Sequence, residues 1–326
     1  MKKILIIKLG ASGDVLRTLP LAKKLKDKNP SSELTWVTKG DIVSLLTPIN
    51  YIDKAVTLPF KANQKFDEVY NFDLDEEALN LMTLVSSEKK YGFHKEGKYA
   101  SAYNSAGEYY LNTMFDDEVK KSNKKTYQEM MFDIAELQYS KERYSLIIPS
   151  KDLEYAKKFS KSNGLQSSKL IGIHMGASPR WPSKAWSEEH VEEFITLVLN
   201  KGYQVILFGG PDEISKHESL VKKISESGLK IFRNNPTNTK GQFVALLNLC
   251  TQVVCSDSLA MHASVGLGKK TIALFFCTSP NEVESYGLVT KIISPMLEDF
   301  FPERSDEYNE ELINSISPEK VLSEIK

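Results

Sequence analysis

Short apolar runs alternate with amphipathic stretches through most of the 326 residues. An apolar run followed by helix-spaced residues is the pattern of a parallel sheet covered by helices, because each parallel crossover must carry the chain back to the sheet's starting edge. The pattern predicts strands at Ile4–Lys8, Leu34–Thr38, Ala55–Leu58 and Glu68–Phe72. It also predicts a helix over Asp14–Lys28 with Val15, Leu16, Leu19, Ala22 and Leu25 on one face. Between about Gly92 and Thr126 it fades into mixed Tyr, Asn, Gly and Lys, read as irregular structure or short helices, before helical spacing returns over Thr126–Leu137.

The pattern then restarts. "KLIGIHMGAS" at 169–178 echoes "KILIIKLGAS" at 3–12, each an apolar strand followed by a Gly-Ala-Ser turn. Ser187 is suited to cap a helix through Asn200 that Gly202 ends, and further helices are expected at Asp212–Ser227, Gln242–Leu249 and Ser258–Val265. Strands are expected at Tyr203–Phe208, Leu229–Phe232, Gln252–Cys255 and Lys270–Phe276. Near the end, Ser317 and Pro318 mark the start of a short helix whose Val321, Leu322 and Ile325 need a surface to cover. A single core stops growing near ~250–300 residues. Two doubly wound α/β domains in tandem follow, at 1–150 and 169–306, with a charged linker at 151–168 and a terminal segment at 307–326.

Composition excludes several classes. A formal charge of −1, with 41% hydrophobic and 26% charged residues, gives no sign of a general nucleic-acid binder. Lys8 interrupts the N-terminal apolar run well short of a signal-peptide core, and no run approaches the roughly 18–20 residues of a membrane span, so a cytoplasmic location is expected. Cys250, Cys255 and Cys277 form no CxxC pair and have no His at zinc-ligand spacing; they are read as buried thiols, with no metal site.

In open α/β sheets ligands bind beyond the carboxyl ends of the strands. Four predicted strands lead into segments with chemistry. The first, G-A-S-G-D at Gly10–Asp14, is neither a dinucleotide fingerprint nor a Walker A loop. Gly10, Ser12 and Gly13 make a small-residue turn, and Asp14 either caps the following helix or accepts a proton from a hydroxyl. The second, "HMGASPRWPSKAW", offers Lys184 as a point charge for phosphate and Ser178 as a hydroxyl partner; Arg180, Trp181 and Trp186 fit solvated or packing roles equally. The third, "GGPDE", is an ordinary tight turn that also presents Glu213. The fourth, "CSDSLAMHAS", sets Asp257, Ser258 and Leu259 at a helix start, where free N–H groups suit a diphosphate, with His262 one turn inside. Two further patterns have plainer readings. The D-x-D of "FDLDEE" at 72–77 is an acidic helix start rather than a metal site, and "KKSNKK" at 120–125 is a solvated loop that could meet an anionic membrane.

Taken in order, these segments resemble glycosyltransferase family 9, the heptosyltransferases, whose best-known members add heptose to the lipopolysaccharide inner core. "KLGASGDVLRTLP" is similar to that family's G-D-[VI]-x-x-[TS]-x-P helix start, and "HMGASPRWPSKAW" to its H-x-G-A-S-x-x-x-K-x-W. "DSLAMH" followed by "LGKKTIALFFCTSP" is similar to D-T-G-x-x-H and its downstream strand, with Leu259 and Cys277 standing where the family has glycines. The resemblance implies a GT-B fold: two Rossmann-like domains facing across a cleft, with the C-terminal helix crossing back to the first. It implies inverting, metal-independent transfer from a nucleotide diphospho-sugar, with ADP-heptose expected, to a lipopolysaccharide core or other surface glycan. No cofactor is expected, and a membrane-borne acceptor would require only peripheral contact. Matched residue by residue, Asp14 is the catalytic base, Lys184 and Ser178 attend the phosphates, Glu213 the ribose, and Asp257, Ser258 and His262 the donor. The alternatives are a non-catalytic sugar-nucleotide-binding module, which Leu259 keeps open, and a Rossmann dehydrogenase, against which the absence of G-x-G-x-x-G weighs.

Overall fold

A computed structural model describes residues 1–176, 178 and 180–326, with Asp41 described by its backbone alone. Ala177 and Pro179 of the "HMGASPRWPSKAW" segment lie outside the described residues. The chain divides into two compact units: Met1–Ile147 with Asn281–Glu284, and Ile148–Pro280 with Ser285–Lys326.

The first unit is built on β1 (Lys3–Ile7), β2 (Glu33–Thr38), β3 (Lys54–Thr57), β4 (Phe66–Asn71), β5 (Ser87–Glu96) and β6 (Tyr99–Ala102). They lie in the order β3-β2-β1-β4-β5-β6, all neighbours parallel except the antiparallel pair β5–β6. β1 and β2 are buried almost throughout, as strands covered on both faces must be. Leu5, Ile7, Val37, Phe66 and Val69 pack with Ala78, Leu81 and Met82 of the helix Glu76–Leu84. The helix Ser12–Lys28 buries the five predicted side chains, Val15, Leu16, Leu19, Ala22 and Leu25.

The stretch read as irregular structure or short helices does hold two helices, but an ordered hairpin precedes them. β5 extends to Glu96, Gly97 turns at φ +60°, β6 returns, and the helices Ser105–Phe115 and Asp117–Ser122 follow. β5 reads "SEKKYGFHKE" and is only half-buried, so it has no apolar run to announce it. Its Gly92, at φ +92°, sits where β5 leaves its parallel partner for its antiparallel one, and a Cβ there would overlap the Asn71 carbonyl. The helix Tyr127–Ile134 starts as predicted, on a capping box between Thr126 and Glu129. Segment 281–284 joins this unit through the Tyr127 N–H, which donates to Glu282 O at 3.0 Å.

The second unit repeats the plan. β7 (Leu170–His174), β8 (Gln204–Phe208), β9 (Phe232–Arg233), β10 (Gln252–Ser256), β11 (Lys270–Phe275) and β12 (Val289–Ile293) lie in the order β12-β11-β10-β7-β8-β9, all parallel. Renumbered from its own first strand, this is the same 3-2-1-4-5-6 order as the first sheet. β1 and β7 therefore hold the same place in their sheets, and the echo between "KILIIKLGAS" and "KLIGIHMGAS" sets Lys8 opposite His174 in topology. The three cysteines are buried free thiols.

Two expectations about the second half are corrected. The stretch 151–168 is not a linker: the helix Ser150–Asn163 belongs to the second unit, and Tyr155 OH accepts a 2.8 Å hydrogen bond from Asn238. Gly164, at φ +63°, is its C-cap. The final helix Pro318–Leu322 finds its surface within the second unit, not the first. Val321 is buried in one cluster with Phe194 and Val198 of the helix Glu188–Asn200, and Leu322 and Ile325 pack against it. Gln252, opening β10, ties the tail down by donating to Glu324 O at 3.2 Å and accepting from Lys326 N at 2.7 Å.

Candidate active site

In each sheet the first and fourth strands lie side by side, and their connections leave in opposite directions, so a crevice opens at their carboxyl ends. Chemistry-bearing side chains collect at both crevices.

In the first unit, β1 runs through Lys8–Ala11 into the helix Ser12–Lys28, whose N-cap is Ala11 without a side-chain cap bond. Asp14 stands in the first turn, near the positive end of the helix dipole. Its Oδ1 accepts from Arg17 Nη2 at 2.8 Å and Nε at 3.0 Å, and its Oδ2 lies 3.8 Å from Lys8 Nζ. The Arg17 guanidinium carbon lies over Tyr127, 3.8 Å from the ring centroid. Thr18 Oγ1 donates to Asp14 O at 2.7 Å and lies 3.1 Å from Tyr127 OH. Gly10, Ser12 and Gly13 are half-buried beside it, and a Cβ on Gly10 would meet no atom within 4 Å, so the space above the turn is open.

Lys8 and Asp73 were not anticipated. Lys8 is 5% exposed and Asp73 6%, and their Nζ and Oδ2 are 3.2 Å apart. The same Oδ2 accepts the Leu9 N–H at 2.9 Å and the Gly10 N–H at 3.1 Å. Burial disfavours the Lys8 charge, but Asp14 and Asp73 more than offset it, so its pKa is raised. The acidic "FDLDEE" thus divides its labour. Asp75, Glu76 and Glu77 start a helix as read, whereas Asp73 turns back to hold the turn after β1.

In the second unit, a cavity of about 300 Å³ is lined by His174, Gly176, Ser178, Lys184, Glu213, Ser256, Asp257, Ser258 and Leu259. Six of these were expected from sequence. The lining comes from the ends of β7 and β10, the short turn Pro182–Lys184, the turn Pro211–Glu213 and the start of the helix Leu259–Gly266. Asp257 lies between two side chains, its Oδ2 3.4 Å from Lys184 Nζ and its Oδ1 3.4 Å from His262 Nε2. His262 is buried and stands behind Asp257 rather than in the lining. Glu213 Oε2 accepts the Gly210 N–H at 2.7 Å, and a Cβ on Gly176 would come within 3.1 Å of Glu213 Oε1. A larger residue at this position would press on the Glu213 carboxylate.

Three lining residues were missed: His174, Gly176 and Ser256. His174 Nδ1 lies 3.5 Å from Ser258 Oγ; burial, with His217 and Lys184 nearby, pushes its pKa down to about 4, so it is neutral at pH 7. Among the described residues Ser256 Oγ, buried in the lining, has no hydrogen-bond partner. Cys277, whose thiol burial pushes up to about 11, is a protonated neighbour of Lys184 and Asp257.

Two crevices with this content, one holding a carboxylate between cations and one offering a lysine and a helix N-terminus, fit transfer of a group carried on phosphate. A sequence model of "Glycosyltransferase family 9 (heptosyltransferase)" matches residues 62–311, well over half of the chain. The chain belongs to glycosyltransferase family 9. This family 9 glycosyltransferase is 24% identical to lipooligosaccharide heptosyltransferase 2 of Haemophilus influenzae, with 99% of this chain and 98% of that protein covered. It is 22% identical to lipopolysaccharide heptosyltransferase 2 of Salmonella typhimurium over 99% of this chain and 97% of that one. Among solved structures, a family 9 glycosyltransferase from Veillonella parvula matches with a TM-score of 0.79 at 19% identity, covering 99% of this chain and 95% of that one. Escherichia coli ADP-heptose lps heptosyltransferase II matches with a TM-score of 0.74 at 18% identity, covering 99% and 97%. The family 9 chain thus has the two Rossmann-like sheets of the GT-B fold. Among the described residues no helix is long and apolar enough to cross a membrane, and no group of three or more His, Cys, Asp or Glu is placed to hold a metal ion.

Proposed function

We propose that the protein is an inverting heptosyltransferase that moves heptose from ADP-heptose to a hydroxyl of a lipopolysaccharide core or related surface glycan, without a metal ion. The single observation that carries this reading is the second-unit cavity of about 300 Å³, lined by Lys184, by Ser258 and Leu259 at the start of the helix Leu259–Gly266, and by Ser256, whose hydroxyl has no partner among the described residues. Those are donors suited to a diphosphate. Ser178 and Ser258 add hydroxyls, Glu213 would take the ribose, and Asp257, held between Lys184 and His262, would orient them.

Asp14 in the first unit is the proposed general base. As the acceptor oxygen bonds to the anomeric carbon, its proton passes to Asp14. The bond from that carbon to the diphosphate breaks on the opposite face, and ADP leaves with the electron pair. Negative charge grows on the diphosphate, so Lys184 and the helix start stabilise the transition state more than the ground state. A membrane-borne acceptor would be met by peripheral contact.

The test is transfer from ADP-heptose to heptose-deficient lipopolysaccharide. Asp14→Asn should abolish turnover while ADP-heptose still binds. Binding with no turnover by the unaltered protein for any such acceptor would favour a sugar-nucleotide-binding module instead, the reading that Leu259 at the cavity wall supports. NAD(H) binding in place of ADP-heptose would return the dehydrogenase.

A further inference from the structure

The carboxylate proposed as base is gripped from two sides, and only one of its cations, Arg17, belongs to its own helix. The other, Lys8, comes from the end of β1 and is almost wholly buried. A buried ammonium is costly unless paired and hydrogen-bonded, so its presence calls for an explanation. Asp73 supplies half of one. Its Oδ2 lies 3.2 Å from Lys8 Nζ while also accepting the Leu9 and Gly10 N–H groups. Asp73 is itself fixed by the Asn71 side chain, which accepts the Asp73 N–H at 3.1 Å and donates to Asp73 O at 3.1 Å. A single Lys–Asp pair would already be neutral. The ammonium nevertheless also faces Asp14, at 3.8 Å from Oδ2.

We propose that Lys8, braced by Asp73, is a positioning residue that keeps the Asp14 carboxylate ionised and in place to receive the acceptor proton. The inference rests on Asp14 being the base. Among the groups around Asp14 are Lys8 from the end of β1, Arg17 from its own helix, Tyr127 from the helix Tyr127–Ile134 and Tyr110 from the helix Ser105–Phe115, with Asp73 on the other side of Lys8. Burial raises the pKa of both tyrosines, so they stay neutral. Among these groups are two cations and two carboxylates. When Asp14 takes the proton, the quartet gains a net positive charge beside the acceptor while negative charge develops on the donor. Lys8 is thus a reservoir of fixed charge that holds the base ready without touching substrate.

Opposite charge changes at Lys8 and Asp73 should act oppositely on Asp14, which a merely structural role would not produce. With ADP-heptose and heptose-deficient lipopolysaccharide, the pH profile of kcat/KM is recorded for Lys8→Met, Asp73→Asn and the double variant. Removing the cation should move the acid limb up by a pH unit or more. Removing the neighbouring anion leaves Lys8 facing Asp14 alone and should move the limb down. The double variant, which leaves no buried charge unpaired, should return the limb close to its starting place while lowering kcat more than it changes either KM. Should Lys8→Met not fold, Asp73→Asn and the double variant still decide. A limb that stays put, or moves the same way in both single variants, overturns the role of Lys8. Asp14→Asn run alongside separates the two ideas: full turnover there would remove the base assignment itself, whereas a dead Asp14→Asn with unmoved limbs removes only Lys8.

Discussion

Lys184 Nζ lies 3.4 Å from Asp257 Oδ2, so the lysine that would meet the donor's phosphates already faces an acid. An arriving diphosphate shares that cation with Asp257. Lys184→Ala should weaken ADP binding by about 10- to 100-fold, the worth of a charge-assisted hydrogen bond. Calorimetric titration with ADP measures it, and an unchanged affinity would take this loop out of the donor site.

Two buried histidines make the second unit sensitive to acid. Burial holds His174 and His217 down at about 4, against an ordinary value of 6.5. The unfolded chain therefore binds more protons between those values, and stability should be full above about pH 6.5 and fall as the pH drops towards 4. The loss is on the order of 3 kcal/mol per histidine at the acid end. Urea unfolding at pH 7 and pH 4.5 should show it, with a smaller difference in His217→Gln than in the unaltered protein; equal differences would contradict the argument.

Leu259 borders the second-unit cavity where the family pattern has glycine. Leu259→Gly should enlarge the cavity and shift relative kcat/KM towards bulkier sugar nucleotides by about tenfold or more, since pocket discrimination per carbon group is of that size. A donor panel assayed on both proteins gives the ratio. Identical ratios would mean that Leu259 does not contact the sugar.

Gly92 is the pivot of the hairpin that the amino-acid pattern conceals. Gly92→Ala asks an L side chain to adopt φ +92° and to displace the Asn71 carbonyl. Destabilisation should exceed about 2 kcal/mol, beyond the cost of an ordinary strand substitution. Thermal unfolding checks it, and a loss under 0.5 kcal/mol would show that β5 can shift to make room.

The central strands and the rim residues were legible for different reasons. β1, β8 and β11 are wrapped by helices, so their burial writes unbroken apolar runs into the chain. Lys184, Glu213, Asp257 and Ser258 follow such strands, and position alone brought them forward. β5 and β6 stayed hidden because a half-exposed edge hairpin is rich in Lys and Glu. Asp73 stayed hidden for another reason: local pattern sees neighbours in sequence, and its partners Lys8, Leu9 and Gly10 lie more than 60 residues away. Ser256 fell within the fourth candidate segment without a role of its own, because sequence cannot show that its hydroxyl lacks a partner among the described residues. The last helix was misplaced because its apolar face says only that it must be covered, not by which neighbour.

Lys8 and His174 occupy one topological position twice. In the first sheet that position carries permanent charge and is committed to anions that belong to the fold. In the second it is an uncharged ring at neutral pH, and its half of the molecule keeps its electropositive capacity for visitors. One strand order, used twice, thus carries a charged rim side chain in the first unit and a neutral one in the second.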